Sequence, residues 1–383
     1  MYYFHLKEEQ KKDMNYVEKQ SFTVDNFTFE SGKTIPITLG YETYGKLNED
    51  KSNVILVNHY FSGSSHSAGK YTPEDPLPGY WDDLIGPGKA VDTNRFFVIS
   101  TDNIANVHVK NTKVITTGPR SINPETGKRY GLEFPQFNYR DMARIQHEFL
   151  TKQLGIKKLY AVMGPSAGGI ISINWSVLYP EMVERLIGVI TNSQTPVHTA
   201  FNVCQHAMRV IELDPKWNNG DYEDNDGPDE ATRLACQLMN IGAYTSEYFE
   251  QTFKRDSSET DPYFDIKAKT SYEKQLFELI KNVSSATVDA SHWYYTSRAT
   301  MLQDIAHDFH SFEEALNRIT AKVLMVSCTS DMLFPTVYNQ QMVEILQNQG
   351  KDARLYKIES MKGHMAGVFD THLFSNQVAE FLS

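Results

Sequence analysis

A chain of 383 residues, 40% hydrophobic and 22% charged, has enough apolar material for one large domain or two. Its formal net charge of −11 argues against a nucleic-acid-binding surface as its main business. The three cysteines, Cys204, Cys236 and Cys328, are far apart and show no Cys-x-x-Cys spacing, so they read as small buried hydrophobes in a reducing compartment.

Residues 1–20 are polar and Lys/Glu-rich and read as an N-terminal extension. They carry no apolar signal-peptide core, and no stretch of the chain approaches the roughly 20 apolar residues of a membrane span, so the expectation is a cytoplasmic protein. Two strands are predicted over 21–30 and 34–44, with Ser31, Gly32 and Lys33 as the turn. The apolar run 53–59 reads as a strand buried on both faces, followed by a small-residue loop through His66. A further strand is predicted over 95–101 and a helix over 140–154, which Gly155 is placed to stop.

Next comes a short apolar run that ends in Gly164-Pro165-Ser166-Ala167-Gly168-Gly169 and passes into a long apolar segment, 170–178. Strand, cramped turn and helix are the context in which Gly-x-Ser-x-Gly presents a nucleophile. A serine in strained backbone geometry needs small neighbours, and Gly164 and Gly168 supply them. A strand is predicted over 185–191. From 197 to 318 the pattern becomes mostly helical, with a polar loop near 218–230. Strands return at 322–328 and 353–359, separated by a helix over 336–349, and a last helix begins near 371. Alternating strands and helices imply an α/β core with a mostly parallel sheet. The core is assigned to 21–196 and 319–383, and 197–318 to an inserted helical cap.

A serine hydroxyl is un-ionised at neutral pH, so Ser166 needs a base, and the base needs an orienting acid. In α/β-hydrolases the chain order is Ser, acid, His, each on a loop after a strand. Asp331 follows the strand 322–328 and His364 follows the strand 353–359, which makes them the candidate acid and base. The oxyanion hole then needs two backbone N–H groups, expected from Ala167 and from Phe61 in the loop after the third strand. No phosphate-binding loop and no Cys/His cluster with metal spacing is present, so neither nucleotide nor metal chemistry is expected. His59 reads as a loop-shaping residue.

Four stretches carry a more specific likeness: 79–99 (GYWDDLIGPGKAVDTNRFFVI), 118–127 (GPRSINPETG), 40–47 (GYETYGKL) and 330–335 (SDMLFP). With them the chain resembles the homoserine O-acetyltransferase family over about 22–217 and 320–370. The resemblance implies an α/β-hydrolase fold with a helical cap and acyl transfer by double displacement. Ser166 would take an acetyl group from acetyl-CoA, or another acyl-CoA, and hand it to an alcohol. It further implies no bound cofactor, a cytoplasmic homodimer paired through the cap helices, and a place in methionine biosynthesis.

The departures bear on the acceptor. The family's elbow reads Gly-Gly-Ser-Met-Gly-Gly, and here it is Gly-Pro-Ser-Ala-Gly-Gly. If Tyr244 matches the family tyrosine, Gln237 stands where an arginine holds the homoserine carboxylate, with Arg233 one helical turn away. Met365 occupies the position of the aspartate that faces the substrate amine. The loop 103–117 also departs from the family pattern and is expected to border the pocket. The reading is therefore a serine-dependent O-acyltransferase whose acceptor is open. A carboxylic-ester hydrolase of the same fold is the first alternative, and a non-catalytic binding protein the second.

Overall fold

The computed structural model describes residues 16–255, 263–276 and 286–383. Most of the extension assigned to 1–20, and two stretches of the helical segment 197–318, lie outside the described residues. Within them runs an eight-stranded sheet built from β1 (Gln20–Thr28), β2 (Thr34–Tyr44), β3 (Val54–Asn58), β4 (Phe97–Thr101), β5 (Ala161–Pro165), β6 (Arg185–Val189), β7 (Lys322–Cys328) and β8 (Ala353–Ile358). The spatial order is β1-β2-β4-β3-β5-β6-β7-β8. β1 and β2 pair antiparallel, as do β2 and β4, and every later neighbour pair is parallel.

The burial of each strand follows from its residues. β1 alternates exposed and buried positions, as expected of a strand with one wet face. β3 and β5 are buried at every position. Alternate residues of β3 enter different cores: Val54 and Leu56 pack with α1 (Tyr139–Glu148) and α2 (Ala167–Leu178), whereas Ile55 and Val57 pack with Val378 and Phe381 of the last helix, Ser375–Phe381. Helices therefore cover both faces, which is why the central strands can be continuously apolar. This is the α/β-hydrolase architecture.

Several boundaries differ from the sequence reading. α1 gives way at Phe149 to a π-helical stretch, Phe149–Gln153, before Gly155 turns the chain with φ +63°. α2 begins at Ala167, three residues before the apolar run suggested, because the elbow leaves no room for a longer turn. The chain end divides into a 3-10 turn, Thr371–Leu373, and the helix Ser375–Phe381. The segment 197–318 contributes a helical run from 197 to 213, α4 (Asp229–Ala243) after α3 (His206–Leu213), and later Ala290–Met301. Ile211, Trp217, Ala235 and Trp293 of this segment cluster with Val107, while Val203, Ala243 and Tyr295 join the core beneath the sheet. No helix among the described residues is long and apolar enough to cross a membrane.

Candidate active site

Four loops leave the C-terminal ends of parallel strands β3, β5, β7 and β8, and they carry Phe61, Ser166, Asp331 and His364 respectively. Crevices at that edge of an open α/β sheet are where ligands bind.

Ser166 is the single residue between β5 and α2, and it has φ +52° and ψ −121°. A non-glycine residue there stores strain of about 1–3 kcal/mol and persists only when its surroundings hold it. They do so through three bonds. Its N–H donates to the Val189 carbonyl at 2.9 Å, and its own carbonyl accepts from Ile170 N–H at 3.1 Å and Thr191 Oγ1 at 2.8 Å. The flanking glycines are required by close approach. A Cβ on Gly164 would lie 2.5 Å from the Asn58 carbonyl oxygen, and one on Gly168 would lie 2.1 Å from it. The end of β3 is pressed against the elbow, and only hydrogen fits between them.

Ser166 Oγ donates to His364 Nε2 at 2.8 Å, and His364 Nδ1 donates to Asp331 Oδ2 at 2.8 Å. The second carboxylate oxygen, Oδ1, accepts the N–H groups of Leu333 (2.8 Å) and Phe334 (2.9 Å). Asp331 is thus fixed by its own turn, with its other oxygen free for the imidazole. Ser330 Oγ donates to the Ser360 carbonyl at 2.6 Å, tying the acid loop to the base loop. The Phe334 ring packs against the imidazole at 5.4 Å. Such a chain can move a proton from the serine to the imidazole as the serine attacks a carbonyl.

Ala167 N–H opens α2, where helical N–H groups have no acceptor within the helix, and Phe61 N–H has no acceptor among the described residues. Both residues line one cavity with Ser166 and His364. The cavity has a volume of about 90 Å³, room for several waters or a short acyl chain. Its walls include Ile170, Val203, Met239, Trp293, Leu333 and Val368, with Cys204 and Cys236 among them. Its polar edge includes Ser62, Thr199 and a hydrogen-bonded pair, Tyr139 Oη and Thr300 Oγ1 at 2.9 Å. No Asp, Glu, Lys or Arg side chain lines it among the described residues.

Comparison with known proteins agrees with this fold. A family model described as alpha/beta hydrolase fold matches residues 53–371. The homoserine O-acetyltransferase of Deferribacter desulfuricans is 38% identical over 94% of this chain and 93% of its own, and that of Geobacter sulfurreducens is 38% identical over 96% and 97%. The chain belongs to the homoserine O-acetyltransferase family. Among solved structures, a homoserine O-acetyltransferase from Bacillus anthracis superposes with a TM-score of 0.93 at 53% identity, covering 97% of this chain and 98% of its own. An esterase superposes with a TM-score of 0.91 at 41% identity, covering 96% and 100%.

Against the homoserine O-acetyltransferase pattern, the expected acceptor handles fall mostly outside the cavity. α4 turns Cys236, Met239, Asn240 and Ala243 toward it, an i, i+3, i+4, i+7 stripe. Gln237 lies about 100° round the helix from Cys236 and is not a lining residue. Arg233 does not line the cavity either; its guanidinium pairs with Glu230 one turn back. Tyr244 is the residue after α4 and stacks on Tyr248 at 4.1 Å, outside the lining, and burial raises its phenol well above the ordinary range. Met365 does line the cavity, beside His364. The loop 103–117 does not border it; Asn103, Ile104 and Asn106 line a smaller space behind Phe61. Sequence reasoning missed Tyr139, Thr300 and Trp293 as lining residues, since nothing in their spacing separates a cavity wall from a core.

Proposed function

We propose that Ser166 carries a short acyl group from an acyl-CoA, acetyl-CoA in the first instance, to an uncharged alcohol. The unbroken Asp331–His364–Ser166 chain, with 2.8 Å at both links, is the observation that carries this reading. Ser166 Oγ attacks the thioester carbonyl while His364 Nε2 takes its proton, and Asp331 stabilises the imidazolium. The Phe61 and Ala167 amides hold the oxyanion. The imidazolium then protonates the departing thiolate, leaving an acyl-serine. An acceptor hydroxyl gives its proton to His364 and attacks the acyl-serine, and the serine regains its proton as it leaves.

The acceptor follows from charge. Homoserine would bring a carboxylate and an ammonium, and an ion buried without a partner costs several kcal/mol. The cavity supplies no charged partner among the described residues, and Met365 offers it an apolar contact. Coenzyme A release should therefore be faster with a neutral short-chain alcohol than with homoserine, each compared with Ser166→Ala. Equal rates with both acceptors would refute the neutral-acceptor reading, and release by Ser166→Ala equal to wild type would refute the acyl-serine.

Hydrolysis of small neutral esters is the second reading. It is favoured by the same charge-free cavity and by the esterase that is 41% identical. Steady turnover of an aryl acetate unaffected by added alcohols would select it. An intact triad weighs against the non-catalytic alternative. We further propose that residues 197–318 form a cap, that the protein is cytoplasmic, and that copies pair through this segment. Exposed apolar side chains on it, Phe201, Leu213 and Ile241 among them, support the pairing, which sedimentation would test.

A further inference from the structure

His59 is a buried titratable residue, 1% exposed, that the proposed chemistry leaves unused. It follows the last residue of β3 and stands two residues before Phe61. Two donors converge on its Nε2: the backbone N–H of Asn103 at 3.2 Å and Asn106 Nδ2 at 3.2 Å. The orientation of the Asn106 amide is set independently. Its Nδ2 also donates to the Gly63 carbonyl at 3.0 Å, and its Oδ1 accepts from His108 N–H at 3.0 Å. A nitrogen facing two donors must be an acceptor, so the imidazole proton resides on Nδ1. That proton is donated to the Tyr60 carbonyl at 2.6 Å.

The Tyr60 carbonyl and the Phe61 N–H belong to one trans peptide unit and point in opposite directions across its plane. Holding the carbonyl on one side therefore aims the N–H to the other. The next carbonyls are tied as well, Ser62 to His108 Nε2 at 2.9 Å and Gly63 to Asn106. The Phe61 ring meets Trp293 edge-on at 4.9 Å.

We propose that His59 is a positioning residue that aims the Phe61 amide at the developing oxyanion through a locked neutral tautomer. This rests on the reading of Phe61 as an oxyanion donor. His59 touches no reacting atom; it acts through the Tyr60–Phe61 peptide. Asn103 and Asn106 select the tautomer, and its Nδ1 proton, together with the Gly63 N–H that reaches the same Tyr60 carbonyl at 2.9 Å, holds the peptide plane.

The test uses the full-length protein with an aryl acetate and a trifluoromethyl ketone whose adduct on Ser166 bears an oxyanion. In His59→Phe, which keeps the ring shape but none of the three hydrogen bonds, kcat should fall about 100-fold with KM within about threefold. Affinity for the ketone should fall by a comparable factor. His59→Asn, which restores a donor near the Nδ1 position, should recover about tenfold of the loss. A folded His59→Phe with kcat within about threefold of wild type overturns the proposal, as does a loss that appears in KM alone. If His59→Phe does not fold, Asn106→Ala serves instead: it unlocks the tautomer and should lower kcat about tenfold, and an unchanged kcat overturns the proposal. Ser166→Ala run alongside separates the two claims, since its activity reports on the acyl-serine and not on His59.

Discussion

Nε2 of His364 lies 2.8 Å from Oγ of Ser166, although 198 positions separate the two residues. The contact needs β5 and β8 in one sheet with both loops at the same edge. Asp331 completes the chain from β7, the strand beside β8. Asp331→Asn should keep the fold but offer Nδ1 a donor or a neutral oxygen instead of a carboxylate. A fall in kcat of about 10³–10⁴ is expected, with KM little changed, measured with an aryl acetate. A drop below tenfold would mean that Asp331 does not govern the imidazole.

Met365→Asp would put a carboxylate into a cavity that has no charged side chain among the described residues. An ammonium-bearing acceptor would then find a charge-assisted partner. The ratio of coenzyme A release with homoserine to that with a neutral alcohol should rise about tenfold or more. An unchanged ratio would show that charge at this position does not select the acceptor.

Burial holds His59 at about 4, below the usual 6.5, against the opposing hydrogen bond to the Tyr60 carbonyl and the charge of Asp102. The unfolded chain therefore binds a proton first. Between pH 6.5 and 4 the unfolded state holds more protons, so His59 contributes stability above this window that is lost as pH falls through it. The loss reaches about 3 kcal/mol. Asp141, pushed up to about 6 by burial, acts in the opposite direction over part of the range. Urea midpoints from pH 7 to 4 should fall less steeply in His59→Phe than in wild type. Parallel slopes would contradict the assignment.

Gly168→Ala should cost about 3 kcal/mol or more, because its Cβ would enter the Asn58 carbonyl at 2.1 Å and neither backbone can retreat. The elbow would also open, so labelling of Ser166 by a fluorophosphonate should slow. Urea denaturation measures the first effect and the labelling rate the second. A stable, fully reactive variant would contradict the close approach described above.

The legible parts of this protein are those that depend on near neighbours. Apolar runs such as 53–59, and the glycines on either side of Ser166, have meaning at the scale of one strand or one turn. Asp331 and His364 were reachable because each follows a strand within a few residues. Tyr139 and Thr300, by contrast, lie 161 positions apart and form a polar pair in the cavity that no local pattern announces.

From the residues alone came the strand–serine–helix junction, the order of serine, acid and base, and a family likeness resting on long specific runs. Only the folded chain decided that Arg233 is paired with Glu230, that Gln237 lies outside the cavity lining, and that His59 is an acceptor at Nε2. The physical reason is a matter of range. Strand and turn preferences are set by neighbouring residues, whereas the charge of a cavity and the tautomer of a buried imidazole are set by whatever distant groups the packing brings against them.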